Sequence, residues 1–269
     1  MTPLPDPAAI PVGDPLELLD VAREAAAAGA AVLARRSIDG LNAVNKSADG
    51  DWVTAFDTAA EQAVREVLAR RRPQDTVTGE ELEDTVPVHA SGIRWSIDPL
   101  DGTTNFIRNI AYYATSVAAV DDDGVWLAGV VHAPALVRVY SAARGHGAWL
   151  AEHGNVRQLT GPDPARVGKL LGTGFSYDAG VRAEQYAALP ELVSGYADIR
   201  RLGSAALDLC MVADGTLDGY SERGLNEYDY AAGALIAEEA GVPVLRPGTP
   251  GSDAERLTAV TAAGAALTA

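Results

Sequence analysis

The sequence is poor in cysteine, in basic residues and in long hydrophobic runs, and each shortage argues against a class of protein. The single cysteine, Cys210, excludes an intramolecular disulfide. Only 21 Lys and Arg stand against 37 Asp and Glu, a formal net charge of −16. This balance argues against binding to nucleic acids or anionic membranes, which depends on clustered basic residues. The sequence contains no run of about 18 apolar residues, so it predicts no membrane-spanning helix.

Signatures of several catalytic mechanisms are missing as well. No Gly-x-x-x-x-Gly-Lys-Ser/Thr phosphate loop and no Gly-x-Ser-x-Gly nucleophile elbow occur. Cys210 lies in an apolar segment and is predicted to be a core residue rather than a nucleophile. None of the four histidines has metal-ligand spacing: His89, His132, His146 and His153. A covalent mechanism through serine or cysteine therefore finds no support.

What the chain does have is an ordinary globular composition, with 269 residues of which 48% are hydrophobic. That length favours one or two domains and a core that needs no covalent support. The first residues are rich in proline and show neither a basic segment nor a hydrophobic run typical of a secretory signal. We therefore expect a cytoplasmic protein.

Hydrophobic periodicity predicts helices first, then a block rich in strands, then alternating elements. The predicted helices cover 16–36, 57–70, 181–192, 204–212 and 230–240. The predicted strands cover 76–78, 93–97, 114–120, 125–132, 137–141, 170–173 and 217–220. This order predicts a layered α+β fold in one domain with two poorly separated portions, about 16–159 and about 160–269.

Carboxylates follow the predicted elements at three places in the sequence: Glu80-Glu81, Asp98-Pro99-Leu100-Asp101 and Asp229. Taken alone, each has an ordinary explanation: Glu80-Glu81 as a solvated pair, the segment from Asp98 to Asp101 as a surface turn, and Asp229 as a helix N-cap. Together they favour a site for a hard cation such as Mg²⁺, which takes oxygen ligands. We expect the strand to stop at Asp98 and Pro99 to turn the chain, so that Asp101 returns to the same side.

Glycine and threonine follow the second carboxylate pair, in the order Gly102-Thr103-Thr104. Glycine permits close approach of the backbone to a ligand, and the threonines open a predicted helix whose free N–H groups can hold phosphate. Phosphatases of the haloacid dehalogenase type have a related Asp-x-Asp-Gly-Thr loop. The additional residue between Asp98 and Asp101 breaks that pattern.

Three ordered motifs resemble the inositol monophosphatase family of Mg²⁺-dependent, lithium-sensitive phosphatases. They are Gly79-Glu80-Glu81, the segment from Trp95 to Phe106 that contains Asp-Pro-Leu-Asp-Gly-Thr-Thr-Asn, and Tyr228-Asp229-Tyr230-Ala231-Ala232-Gly233. The segments Asp51–Asp57 and Gly203–Ala206 resemble further parts of the family pattern. Two positions depart from it: Tyr228 replaces a usual tryptophan, and Asn226 stands where eukaryotic members often have histidine. Lys46 is either a residue of the family's metal loop or a solvated lysine.

The resemblance implies a role for each matching position. One Mg²⁺ would be held by Glu81, Asp98 and the Leu100 carbonyl, and a second by Asp98, Asp101 and Asp229. A third, weaker ion would sit near Glu81, and Mn²⁺ is an alternative metal. The attacking water would be oriented by three residues, Asp57, Thr103 and Glu80. Substrate would be bound by six residues, Asp101, Gly102, Thr103, Ser204, Ala205 and Glu222.

The resemblance further implies the family's αβαβα sandwich, a homodimer, and hydrolysis of myo-inositol 1-phosphate or a similar polyol phosphate by a metal-activated water. Histidinol phosphate is the nearest alternative substrate. Fructose 1,6-bisphosphate and 3′-phosphoadenosine 5′-phosphate are less favoured, because a second phosphate requires a cationic pocket. A regulatory binding role without catalysis is the alternative from another class. Bound Mg²⁺ would also reverse the sign of the field at the acidic site, so the negative net charge does not argue against a phosphate ligand.

Overall fold

The computed structural model describes residues 13–36, 44–45, 52–247 and 256–260, so Lys46 and Asp51 lie outside the described residues. Its helices are α1 Pro15–Leu33, α2 Ala55–Arg71, α3 Thr103–Arg108, α4 Ala179–Leu192, α5 Ala205–Ala213 and α6 Glu227–Glu239. Its strands before residue 110 are β1 Val44–Asn45, β2 Trp52–Val53, β3 Thr76–Gly79 and β4 Ile93–Asp101. The next five strands are β5 Ala114–Asp121, β6 Trp126–Ala133, β7 Arg138–Ala143, β8 Ala148–Glu152 and β9 Asn155–Gln158. The last five are β10 Leu170–Gly172, β11 Asp198–Arg200, β12 Gly219–Arg223, β13 Val244–Leu245 and β14 Arg256–Val260.

Two large sheets carry most of the strands. The first has seven strands in the order β3-β4-β5-β6-β7-β8-β9, and the second has five in the order β11-β10-β12-β14-β13. In the first sheet only the β3–β4 pair is parallel, and the remaining neighbours are antiparallel. The strands β1 and β2 form a separate antiparallel pair. All strands of the first sheet precede those of the second along the chain.

Helices cover both faces of the first sheet. Buried apolar residues of α1 and α2, such as Leu18 and Val64, pack with Trp95 and Val117 of the sheet. On its other face α5 and α6 pack against β5 to β8, and the same core reaches Tyr220 of the second sheet. The small side chains of α6 permit a close approach: a Cβ on Gly129 of β6 would lie 2.9 Å from the Ala232 Cα.

The remaining layer follows from the parallel connections of the second sheet. Strand β10 is parallel to both β11 and β12 and lies between them. The connection from β10 to β11 through α4 therefore crosses the sheet in one direction, and the connection from β11 to β12 through α5 crosses it in the opposite direction. Because such crossovers are right-handed, two opposite moves place their helices on opposite faces of the sheet. With α5 inside, α4 lies outside, and the expected αβαβα sandwich is confirmed.

Local rules explain most of the element boundaries. Asp14 caps α1 through a bond from the Leu16 N–H, with Pro15 at the first helical position. Seven of the strands were not predicted from the sequence: β1, β2, β8, β9, β11, β13 and β14. Helix α6 begins three residues before its predicted start. None of the helices among the described residues is long and apolar enough to cross a membrane.

One prediction near the carboxylates was wrong. Strand β4 does not stop at Asp98-Pro99 but continues to Asp101, and its register with β5 shifts between these two aspartates. The irregularity accommodates Pro99, which has no N–H to donate. The carbonyl of Pro99 instead accepts a hydrogen bond from the Thr115 hydroxyl at 2.9 Å.

Candidate active site

A cavity of about 620 Å³ opens where the end of β4 meets the start of α3 and the N-terminal ends of α5 and α6. Ten of the twelve predicted site residues line it: Glu80, Asp98, Leu100, Asp101, Gly102, Thr103, Ser204, Ala205, Glu222 and Asp229. The other two, Asp57 and Glu81, are next to lining residues rather than among them. The tertiary structure therefore brings together segments that are far apart in the sequence.

The irregular end of β4 puts two aspartates and a carbonyl on the same cavity wall. Asp98 is buried, and its Oδ1 accepts the N–H of Leu100 at 3.0 Å. The Leu100 carbonyl lies 3.0 Å from the Thr103 hydroxyl. Gly102, between these residues, has a φ of +99°, and a Cβ there would lie 2.9 Å from the Tyr112 carbonyl oxygen. Only glycine fits this turn without strain.

Asp101 connects β4 to the start of α5. Its Oδ2 accepts the Ser204 hydroxyl and the Ala206 N–H, each at 2.7 Å. Ser204 is also the N-cap of α5. The predicted substrate contact Ser204 thus has a second role, because it holds one oxygen of Asp101 and leaves the other oxygen for a ligand.

Asp57 lies behind the cavity wall in the first turn of α2. It forms a capping box with Thr54, whose N–H and hydroxyl both donate to Oδ2. Oδ1 accepts the Thr103 hydroxyl at 3.0 Å. Burial raises the pKa of this carboxyl, whereas the hydrogen bonds lower it. Asp57 therefore acts on the cavity through Thr103.

Asp229 enters the cavity from the first turn of α6. It is the third helical residue, and its Oδ2 accepts the N–H of the N-cap residue Asn226 at 2.6 Å. Asn226 also donates to the hydroxyl of Tyr228 at 2.7 Å. The helix cap and the proposed metal ligand are thus the same side chain, and the two explanations weighed from the sequence are compatible.

Burial and repulsion between carboxylates together raise the pKa of the acidic side chains in the cavity. Burial raises the pKa of Asp98 well above its usual value, and the charges of Glu80, Asp101 and Asp229 raise it further. Burial also raises the pKa of Asp101 to about 7, although its bonds to Ser204 and Ala206 act in the opposite direction. The pKa of Asp229 is raised by burial and then by Asp101. A bound cation would relieve this repulsion.

The donor set fits Mg²⁺, because it consists of carboxylate oxygens and one backbone carbonyl. In the part of the chain that the structure describes, no three or more Asp, Glu, His or Cys side chains are arranged so that they could hold a metal ion by themselves. Mg²⁺ is usually held by one or two carboxylates, with waters and substrate oxygens completing its octahedron. An open arrangement of carboxylates is therefore the one expected for this ion.

Glu222 of β12 also lines the cavity. The Tyr220 hydroxyl donates to its Oε2 at 2.5 Å. Burial raises the pKa of Glu222, and the nearby Arg201 guanidinium lowers it. The carboxylate lies directly against Gly174, where a Cβ would be 2.1 Å from either oxygen. Glycine at this position therefore sets where Glu222 can stand.

Three residues that contribute to the site were missed in the sequence. Asn105 donates from Nδ2 to the carbonyls of Tyr112 and Leu202 at 2.8 Å each, which fastens α3 to the segment leading into α5. Asp208 lines the cavity and accepts the Tyr112 hydroxyl at 2.6 Å. Glu61 accepts the N–H of Glu81. Each of the three is a polar residue within a helix, and this was the feature of the sequence that could have indicated them.

Comparisons with known proteins find similar relatives by sequence and by structure. The inositol monophosphatase family matches residues 14–268. Inositol-1-monophosphatase SuhB of Mycobacterium tuberculosis strain H37Rv is 43% identical over 268 residues, 94% of this chain and 91% of the relative. Nus factor SuhB of Pasteurella multocida strain Pm70 is 38% identical over 227 residues, 83% of each chain. The crystal structure of extragenic suppressor protein suhB from Bartonella henselae superposes with a TM-score of 0.83 at 30% identity, covering 93% of this chain and 98% of that one.

Proposed function

The chain belongs to the inositol monophosphatase family, and on that premise we propose that it is a Mg²⁺-dependent phosphomonoesterase that hydrolyses myo-inositol 1-phosphate or a similar small polyol phosphate. One observation carries the proposal. Asp98, Asp101 and Asp229, from two distant segments, line one cavity, where Asp101 and Asp229 raise the pKa of Asp98 and Asp101 raises that of Asp229. Such a cluster is costly to fold unless a cation is part of the site.

The residues that would hold the metal ions are Glu81, Asp98, the Leu100 carbonyl, Asp101 and Asp229. Bound Mg²⁺ supplies a water of lowered pKa and positive charge beside the phosphoryl group. Carboxylates at these positions also keep the site oxygen-rich and hard, which favours Mg²⁺ or Mn²⁺ over softer metals.

The pair of Thr103 and Asp57 would orient the attacking water. The Thr103 hydroxyl has one proton and lies 3.0 Å from both the Asp57 Oδ1 and the Leu100 carbonyl. Once it donates that proton to Asp57, its remaining lone pairs can accept a hydrogen bond from a water on the cavity side. Glu80, which also lines the cavity, supports the same water. No side-chain nucleophile is needed.

The substrate would lie between two groups of residues. Backbone N–H groups of Gly102 and Thr103 would bind the phosphate, while Asp101, Ser204, Ala205 and Glu222 would contact the hydroxyls of the polyol. Carboxylates accept hydrogen bonds and cannot donate them when ionised, so they suit a partner rich in hydroxyl donors. This chemistry favours an uncharged polyol over an anionic leaving group.

A panel of phosphate esters tests the proposal. Phosphate release would be measured with Mg²⁺ for myo-inositol 1-phosphate, histidinol phosphate, fructose 1,6-bisphosphate and 3′-phosphoadenosine 5′-phosphate, with Asp98→Asn as the inactive control. We expect the inositol ester to have the highest kcat/KM. A clear preference for histidinol phosphate would refute the polyol assignment, and absence of release from every ester would refute the phosphatase itself.

A regulatory binding role is a second candidate, favoured by the relative named Nus factor SuhB. The Asp98→Asn variant separates the two functions, because it removes a proposed metal ligand from a buried position and leaves the surface unchanged. If this variant has no turnover but still restores the wild-type phenotype to a deletion strain, catalysis is not the whole function. The predicted homodimer, lithium sensitivity, third ion and cytoplasmic location stay predictions.

A further inference from the structure

A buried carboxylate, Glu61, lies beneath the turn that carries Glu80 and Glu81. It is in α2, one helical turn after Asp57, and is fully buried. It does not line the cavity and has no part in the proposed hydrolysis. A buried ionised group is costly unless each oxygen is bonded and its charge is paired, so its contacts indicate what it does.

Among the described residues, the hydrogen bonds that Glu61 accepts from outside α2 come from one turn. Oε2 accepts the N–H of Glu81 at 2.8 Å, and Oε1 accepts the N–H of Leu82 at 3.3 Å. Arg65, four residues further along α2, pairs with Oε1 at 2.7 Å. The same guanidinium donates to the Leu82 carbonyl at 3.1 Å and to the Thr85 hydroxyl at 3.0 Å. One helix therefore holds both the donors and an acceptor of this turn.

Gly79, the last residue of β3, makes this contact possible. A Cβ at Gly79 would lie 2.2 Å from the Glu61 Oε1 and 2.6 Å from its carboxyl carbon. Both atoms belong to a fully buried side chain whose Arg65 partner is also largely buried, so they have little freedom to move. The glycine in the Gly79-Glu80-Glu81 motif is thus explained by the space that Glu61 occupies.

We propose that Glu61 and Arg65 are positioning residues for the turn that carries Glu80 and Glu81. This inference rests on the proposed function, in which Glu81 is a metal ligand. The charge of Glu80 raises the pKa of Asp98, so the turn is held close to a carboxylate that repels it. Fixing the backbone through Glu61 opposes that repulsion before a cation binds. Because Asp57 and Glu61 are four residues apart on α2, the same helix aligns both sides of the site.

The test is direct Mg²⁺ binding by isothermal titration calorimetry, with Glu61→Gln as the variant. Glutamine has the same shape but only one acceptor oxygen, so it cannot hold both N–H groups of the turn and also pair with Arg65. We expect the Mg²⁺ dissociation constant to rise about 10- to 100-fold, as for other residues that orient metal ligands. The Mg²⁺ concentration for half-maximal activity should rise in parallel, with kcat at saturating Mg²⁺ close to that of the wild type.

Asp75→Asn is the matched control. Asp75 is also a buried carboxylate, located at the opposite end of β3, where it accepts the Trp95 Nε1–H at 2.8 Å and pairs with Arg72 at 2.7 Å. Its replacement should lower stability without changing Mg²⁺ affinity. If Glu61→Gln fails to fold, Arg65→Lys carries the test. It keeps the charge but loses the branched guanidinium that reaches both Leu82 and Thr85.

Two results would overturn the inference: a folded Glu61 or Arg65 variant with wild-type Mg²⁺ affinity, or an equal loss of affinity in Asp75→Asn. Failure of the proposed function would look different. In that case the wild-type protein itself would neither bind Mg²⁺ in the calorimeter nor release phosphate from any ester.

Discussion

Replacing Asp101 with asparagine separates two effects of the carboxylate cluster: the folding stability that the buried charges cost, and the Mg²⁺ binding that they would provide. The fold raises the pKa of Asp101 from 3.8 to about 7, chiefly through burial. Asparagine has nearly the same shape, and its carbonyl oxygen can still accept the two bonds that Ser204 and Ala206 donate to Oδ2. The substitution therefore removes the charge and retains the connection between β4 and α5.

The size of the effect follows from proton linkage. A group whose pKa is higher in the folded than in the unfolded state stabilises the fold fully below the unfolded pKa, and this contribution is lost as the pH rises. For Asp101 the loss falls between about pH 4 and pH 7. A shift of about three pKa units corresponds to ~4 kcal/mol. That value is a large part of a total stability of about 5–15 kcal/mol.

Urea unfolding in a chelator, at pH 5 and pH 8, measures this effect. At pH 8 the metal-free Asp101→Asn protein should be more stable than the wild type by about 1 to 4 kcal/mol, and the difference should shrink at pH 5. Added Mg²⁺ should narrow this difference, because a ligand at 100 times its dissociation constant stabilises the wild type by ~2.7 kcal/mol. The control Asp75→Asn should be less stable than the wild type in every condition, because it weakens the acceptor that Arg72 and Trp95 share.

Two results would refute the reasoning. If metal-free Asp101→Asn were no more stable than the wild type at pH 8, the buried charge would not carry the cost assigned to it. If Mg²⁺ stabilised the variant and the wild type equally, Asp101 would not be a metal ligand.

Two further substitutions test single contacts in the site. Thr103→Val removes the hydroxyl that donates to Asp57 and should lower kcat by about 100-fold, a typical cost of losing an oriented polar group in an active site, with little change in KM. Gly174→Ala places a Cβ where the Glu222 carboxylate now lies, and should raise KM for the polyol ester more than it lowers kcat. Steady-state kinetics at saturating Mg²⁺ measures both. Gly180→Ala in the first turn of α4 is the control for the second substitution, because a Cβ there would have the Asp178 carboxylate oxygen as its nearest neighbour, at 3.3 Å, and KM should stay unchanged. A wild-type KM in Gly174→Ala would show that Glu222 does not contact the leaving group. An undiminished kcat in Thr103→Val would show that the Thr103 hydroxyl does not orient the attacking water.

Predictions from the sequence were most successful where a local rule acts alone. The long helices and the central strands were predicted within a few residues, because their apolar periodicity matches their burial. The short edge strands, such as β9 with all four residues exposed, were missed because they have no buried face to produce a pattern. The end of β4 was predicted wrongly at Pro99, because an irregular register absorbs a proline that would end a regular strand.

The sequence by itself determined the acidic composition, the ordered motifs and, through them, the family and the set of carboxylates. These are properties of residue type and spacing, which need no partner elsewhere in the chain. Only the tertiary structure decided which carboxylates meet. Ser204 holds Asp101 from the start of α5, Glu61 supports the turn at Glu81, and Gly174 makes room for Glu222. Such contacts join residues that are distant along the chain, and their geometry depends on how helices and sheets pack, which no local pattern encodes.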